Sequence, residues 1–189
     1  NTYLKKIIFK EVLKSNFIKF IGGVNIKDIT NTGSSATIFS DKGNFTGPLI
    51  VGADGRNSKM RFFANIKSFF FDYNQSAFVF NITHTLSHQS RALERFFPSG
   101  PLALLPMQKN NKKSSSVVWT VDSEFKEKLL EKKNFYNEFE KKYSKAFGQI
   151  IKTSRPAVYN LNIVSCYEYF KERIVLVGDA CQAIHPIAG

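Results

Sequence analysis

Two short apolar runs, each leading into a glycine and an aspartate, lie far apart in this chain and constrain its fold more than any other feature. Leu49-Ile50-Val51-Gly52-Ala53 leads into Asp54-Gly55, and Arg173-Ile174-Val175-Leu176-Val177 leads into Gly178-Asp179. A short, nearly continuous apolar run is how a strand buried on both faces of a parallel sheet reads. Between the two runs the character changes. Ala77–Ile82, Leu93–Phe97, Leu102–Leu105 and Ser116–Val121 follow one another as candidate strands, punctuated by Pro98, Gly100, Pro101 and Pro106. That order predicts an α/β fold with an α+β insertion: an antiparallel sheet set into the α/β part, followed by a return to it.

The remaining elements follow from periodicity. Leu4, Ile7, Ile8 and Val12 recur at helical spacing, so Thr2–Leu13 reads as a helix. Phe17–Phe20, Val24–Thr30 and Ala36–Phe39 read as strands, with turns at Asn31-Thr32-Gly33 and Asp41-Lys42-Gly43. Two helices fit between Ser123 and Phe147. The first carries Leu129 and Leu130, and the second has Asn134 as a cap, Phe139, Tyr143 and Phe147 on one face, and Gly148 as its C-cap. Trp119 and Phe69-Phe70-Phe71 read as core.

Composition narrows the functional classes. With 27 Lys and Arg against 15 Asp and Glu the net charge is +12. Much of that charge is interleaved with Glu127, Glu131, Glu138 and Glu140, the pattern of a solvated helix face; the rest is available to an anionic membrane surface. No recognisable nucleic-acid motif accompanies it, so no nucleic-acid partner is expected. No apolar run approaches the roughly 18 to 20 residues of a membrane-spanning helix. Cys166 and Cys181 are too few for a disulfide scaffold or a cysteine-rich zinc site, which points to a reducing cytoplasm. His84 and His88 lack converging carboxylates, so no metal site is expected there. His88 is placed in the turn before Leu93–Phe97.

The chemistry should gather at the two strand ends, because ligands of open parallel sheets bind at the carboxyl ends of the strands. Glycine there lets backbone N–H groups approach a phosphate or a ring, and an aspartate suits a ribose hydroxyl. Ser58 and Arg61 can serve a pyrophosphate or hold the turn. The competing reading is that Asp54 and Asp179 only cap helices after tight turns.

At these residues the chain resembles a known family. Asp54-Gly55, Ser58 and Arg61 are similar to the second fingerprint of the aromatic-ring flavoprotein hydroxylases. Gly178-Asp179-Ala180 with His185-Pro186-Ile187-Ala188-Gly189 is similar to their third. Arg95-Phe96, Gly100–Pro106 and Ser116–Thr120 resemble the corresponding stretches of the ubiquinone-biosynthesis hydroxylases. The chain departs from the pattern at three places. Gly22-Gly23 is not the Gly-rich βαβ turn of the first fingerprint. Gln182 stands where many relatives have His, and Asn160-Leu161 stands where Pro-Leu is usual.

The resemblance implies a partial FAD/NAD(P)-binding Rossmann-like domain in residues 1–73 and 166–189, and a β-sheet substrate domain with helices in residues 74–165. It implies FAD held by Gly52, Asp54, Gly55, Ser58, Arg61, Gly178, Asp179, His185, Pro186 and Gly189, with no covalent catalytic residue. Leu102, Leu104 and Pro106 would wall the substrate pocket. The implied parent enzyme hydroxylates a polyprenylated phenol with NAD(P)H and dioxygen. It would be cytoplasmic, touching the inner-membrane surface and other ubiquinone-biosynthesis proteins. The 189 residues read as an internal fragment of it, inactive alone. The alternative is a non-catalytic fragment or decayed-gene product that keeps the fold without a complete FAD site.

Overall fold

A computed structural model describes residues 2–108, 110–131 and 135–185. The first leg of the chain runs α1 (Thr2–Lys14), β1 (Ile26–Asn31), β2 (Ala36–Ser40), β3 (Gly43–Gly47), β4 (Ile50–Gly52) and α2 (Lys59–Phe63). The middle leg runs β5 (Ser68–His84), β6 (Leu93–Phe97), β7 (Gly100–Met107), β8 (Ser114–Asp122), α3 (Ser123–Glu131), α4 (Phe135–Tyr143), β9 (Ile150–Thr153) and β10 (Ala157–Cys166). The chain then returns through β11 (Phe170–Lys171), β12 (Ile174–Leu176) and β13 (Gln182–Ala183). It forms two compact units, one of residues up to Lys67 with Cys166–Cys181, the other of Ser68–Ser165 with the residues from Gln182 on.

The first unit holds an antiparallel meander, β1-β2-β3, and a small sheet ordered β11-β12-β4. β4 and β12 pair in parallel, Ile50 with Ile174, Val51 with Val175 and Gly52 with Leu176. Their buried side chains, Ile50, Ile174 and Leu176, pack with Met60, Ala64 and Ile66. Only one face is covered in this way. Val51 is 54% exposed, which corrects the expectation of a strand buried on both faces. Phe17–Phe20 forms no strand, and Phe17 is fully exposed. The meander begins at Ile26, and β3 occupies what the turn residues Asp41-Lys42-Gly43 only introduced.

The second unit is a seven-stranded sheet ordered β13-β10-β5-β8-β7-β6, with β9 also on β5. Register places Phe78, Trp119 and Leu102 in one row across three strands, and Phe80, Val117, Leu104 and Leu93 in the next. Residues directly opposite share a face. This face is covered by Leu129 of α3 and by Phe135, Phe139 and Tyr143 of α4, which recur every fourth residue. Trp119 is fully buried there, as the sequence suggested, whereas Phe69, Phe70 and Phe71 are all about half exposed and not core. α4 ends at Tyr143, so Phe147 and Gly148 lie beyond it and Gly148 is not its C-cap. The Arg95 guanidinium meets the helix end instead, donating to the carbonyls of Lys142 and Tyr143 at 3.2 and 3.3 Å. The proposed Asn134 cap lies outside the described residues.

His84 and His88 are both fully buried, with ring centroids 6.0 Å apart. His84 Nδ1 donates to the Leu86 carbonyl at 2.6 Å, and Nε2 accepts from the Ser115 hydroxyl at 3.0 Å. The Ser90 amide donates to His88 Nδ1 at 3.0 Å, leaving Nε2 to donate to the Met107 carbonyl at 3.1 Å. These partners fit two neutral rings. Burial holds the His84 pKa below 6.5; the Leu86 carbonyl opposes the shift and nearby His88 adds to it. Between the lowered folded pKa and 6.5 the unfolded chain binds more protons than the fold does. The stabilisation is therefore complete above pH 6.5 and declines as pH falls below it. Urea midpoints should drop from about pH 7.5 to about pH 5.5, and His84→Gln should flatten that dependence. A midpoint that rises on acidification would refute the neutral pair.

Candidate cofactor site

The site is built on the carboxyl ends of β4 and β12. The Ile50 amide donates to the Arg173 carbonyl at 2.8 Å and the Val177 amide to the Gly52 carbonyl at 2.9 Å, so the two strands leave the sheet side by side. Gly52 is buried between them. A Cβ there would lie 2.7 Å from Leu176 Cδ2 and 2.8 Å from Met60 Cβ. Gly52 thus permits close packing beneath the site and is not itself a surface for cofactor.

After β4, Asp54 turns back onto the start of α2. Its Oδ1 accepts from the Ser58 hydroxyl at 2.6 Å; its Oδ2 accepts from the amides of Lys59 at 2.7 Å and Met60 at 3.1 Å. Ser58 is the N-cap and accepts from the Arg61 amide at 2.9 Å. Burial pushes the Asp54 pKa up, but the Ser58 hydroxyl and the backbone amides outweigh it and hold the carboxyl below 3.8. Both carboxylate oxygens are committed to the helix start. That is the capping arrangement the sequence allowed for Asp54.

Arg61 joins the two turns. Its Nη1 donates to the Ala180 carbonyl at 2.8 Å and its Nη2 to the Arg56 carbonyl at 2.9 Å. It holds the turns together, and Ser58 holds the first. After β12 the chain enters a 3-10 turn, Gly178–Ala180. Gly178 has φ +60°, and a Cβ there would meet no atom within 4 Å. Asp179 is exposed, and among the described residues no hydrogen bond or ion pair reaches its carboxylate. Gly55, with φ +84°, is likewise open. An unengaged carboxylate beside an open glycine at a strand end fits a polyol hydroxyl of a bound cofactor.

In the second unit, His185 Nε2 lies 3.0 Å from Gln75 Oε1, and its ring meets Tyr73 edge to face at 5.0 Å. Among the described residues Nδ1 is buried without a partner, and burial lowers the His185 pKa. The sequence reading missed Tyr73 and Gln75, because nothing local links them to a histidine 110 residues later. Pro186 and Gly189 lie outside the described residues. Leu102 and Leu104, each 1% exposed, face α3 and α4 in the core, so they leave no surface for a substrate. The other face carries the row Val79, Val118 and Ala103, with Leu105 38% exposed in the row beside it. Alternation along β7 had this face opposite Leu102 and Leu104, but only packing shows which of the two takes the helices. Pro106 is half-buried at the far end of the strand.

Residues 31–189 match the FAD binding domain family. The ubiquinone hydroxylase UbiL of Rhodospirillum rubrum is 38% identical over 159 residues, covering 83% of this chain and 36% of that protein. The human mitochondrial ubiquinone biosynthesis monooxygenase COQ6 is 29% identical over 185 residues, covering 79% of this chain and 39% of its own length. The chain thus spans little more than a third of these relatives. The crystal structure of p-nitrophenol 4-monooxygenase PnpA from Pseudomonas putida matches the whole chain and 49% of its own, with a TM-score of 0.76 at 14% identity. That likeness, with one to the flavin-dependent halogenase CmlS at a TM-score of 0.75 and 14% identity, shows the fold, an α/β arrangement with antiparallel sheets. By the family match over most of its length, this chain belongs to the FAD-binding domain family, and FAD is its cofactor.

Proposed function

We propose that this chain is part of a monooxygenase that hydroxylates a polyprenylated phenol in ubiquinone biosynthesis, with NAD(P)H as reductant and dioxygen as oxygen donor. The observation that carries the reading is the 38% identity to a ubiquinone hydroxylase over 159 residues. Bound FAD would take up hydride from the nicotinamide and pass reducing power to dioxygen. The protein's own work is to bind, orient and exclude water. Asp179 accepts a hydroxyl of the cofactor, and Gly178 lets the backbone approach it. Arg61, Asp54 and Ser58 keep the two turns in register. By the family resemblance His185, Pro186 and Gly189 would also serve the cofactor. In this reading residues 74–165 form the substrate domain, and the face bearing Val79, Val118, Ala103 and Leu105 walls the apolar ring. Among the described residues no helix is long and apolar enough to cross a membrane. The net charge of +12 supports contact with an anionic inner-membrane surface, where a polyprenyl tail resides.

In the full-length protein, Asp179→Ala removes a charged hydrogen-bond acceptor, worth about 1.5–3 kcal/mol. FAD affinity should then fall roughly ten- to a hundredfold. A dissociation constant unchanged within about threefold, with the fold intact, would make Asp179 an ordinary turn residue. On β7, Leu105→Asn should weaken substrate binding by about 1–3 kcal/mol and leave FAD content normal. Leu104→Asn should instead damage the fold. The reverse pattern would put the substrate on the helix-covered side.

A further inference from the structure

We propose that Cys166 and Cys181 form a peroxide-sensitive dithiol whose reversible disulfide clamps the Gly178–Ala180 turn. The proposal stands on register. β10 and β13 pair antiparallel, Val164 with Ala183 and Ser165 with Gln182, so the next opposed pair is Cys166 and Cys181. One backbone bond carries the contact one residue further: the Cys166 amide donates to the Cys181 carbonyl at 2.9 Å, while the Cys181 amide turns to the Gly178 carbonyl at 3.1 Å. Backbones joined by such ladder bonds run about 4.7–4.9 Å apart. Disulfides most often join Cα atoms about 5.5–6 Å apart.

The side chains converge as the backbone does. Cys166 belongs to the apolar cluster of the first unit, and Cys181 packs against the same cluster. Cys181 Sγ lies 3.2 Å from the Gly178 carbonyl and Cys166 Sγ 3.8 Å from the Ala180 carbonyl, so both sulfurs rest on one short turn. Their exposure divides the work. Cys181 is half-buried and meets solvent, whereas Cys166 is 6% exposed and can react only with a neighbour. Burial pushes the Cys166 thiol up, while the Arg61 guanidinium, which donates to the same Ala180 carbonyl, favours its thiolate.

With hydrogen peroxide as oxidant the step balances. The Cys181 thiolate attacks one peroxide oxygen, the O–O bond breaks, and water leaves after taking up a proton. The Cys166 sulfur then displaces the oxygen from Cys181, forming the S–S bond and releasing a second water. Two thiols lose two electrons and the peroxide gains them. The bond would tie the end of β10 to the turn that presents Gly178 and Asp179. This inference is independent of the reaction proposed above.

The test treats the folded chain, at low protein concentration, with dilute hydrogen peroxide. Free thiols are counted with Ellman's reagent in denaturant, and the intact mass is read without reductant. Both thiols should disappear together with a loss of about 2 Da, and dithiothreitol should restore them. The oxidised chain should unfold at a higher temperature than the reduced one. In Cys181→Ser, Cys166 should stay reduced under the same treatment. Three results would each overturn the proposal: two thiols remaining, a mass gain from oxygen on Cys181 alone, or a disulfide that forms only between chains or after unfolding.

Discussion

Phe139→Ala is expected to lower the stability of the protein by about 3–5 kcal/mol, the range for deleting a fully buried aromatic side chain. Phe139 is 0% exposed on the inner face of α4, and its ring meets Phe80 edge to face at 4.8 Å and Trp119 at 6.0 Å. It sits over the rows formed by Phe78, Trp119 and Leu102 and by Phe80, Val117 and Leu104, so the cavity would open where the helix meets the sheet. Leu130→Ala, at a side chain 57% exposed, should change stability by no more than about 0.5 kcal/mol. Chemical denaturation of both variants decides the matter. Equal losses would mean that α4 does not close this core.

Gly100→Ala should be comparably severe, costing about 3–5 kcal/mol or preventing folding, because two independent mechanisms act at once. Gly100 has φ +124°, a conformation that side chains rarely adopt. A Cβ there would lie 2.4 Å from the Thr120 carbonyl oxygen, a backbone atom of β8 that cannot swing aside. Gly100 opens β7 opposite Phe97, so the strain falls on the hairpin that sets the β6–β7 register. Soluble yield and the denaturation midpoint report the loss. A variant as stable as the parent would show that β7 approaches β8 less closely than described.

The sequence made the parallel pair legible because the signal for a buried strand lies in adjacent residues. Ile50, Ile174 and Leu176 are apolar where the sheet is covered, and a glycine marks each strand end. The strands from Ala77 to Val121 and the two helices were legible for the same reason. Errors arose where an apolar run is not buried. Phe17–Phe20 and Phe69–Phe71 look like strand or core by composition, but burial depends on what packs against a residue.

At the site, the chain by itself determined which residues gather: glycine and aspartate after two neighbouring strands, with Ser58 and Arg61 following the first. It did so because each turn is specified by residues a few positions apart. Only the tertiary structure decided what each aspartate does. Asp54 is followed by a helix whose unpaired amides, at Lys59 and Met60, turn toward its carboxylate and engage it. Asp179 lies inside a 3-10 turn, and no amide among the described residues turns toward its carboxylate, so it projects outward. The pairing of Arg61 with the Ala180 carbonyl and of His185 with Gln75 was likewise decided only by the fold. Those partners are 119 and 110 residues apart, and no local pattern encodes a distance that only the folded chain closes.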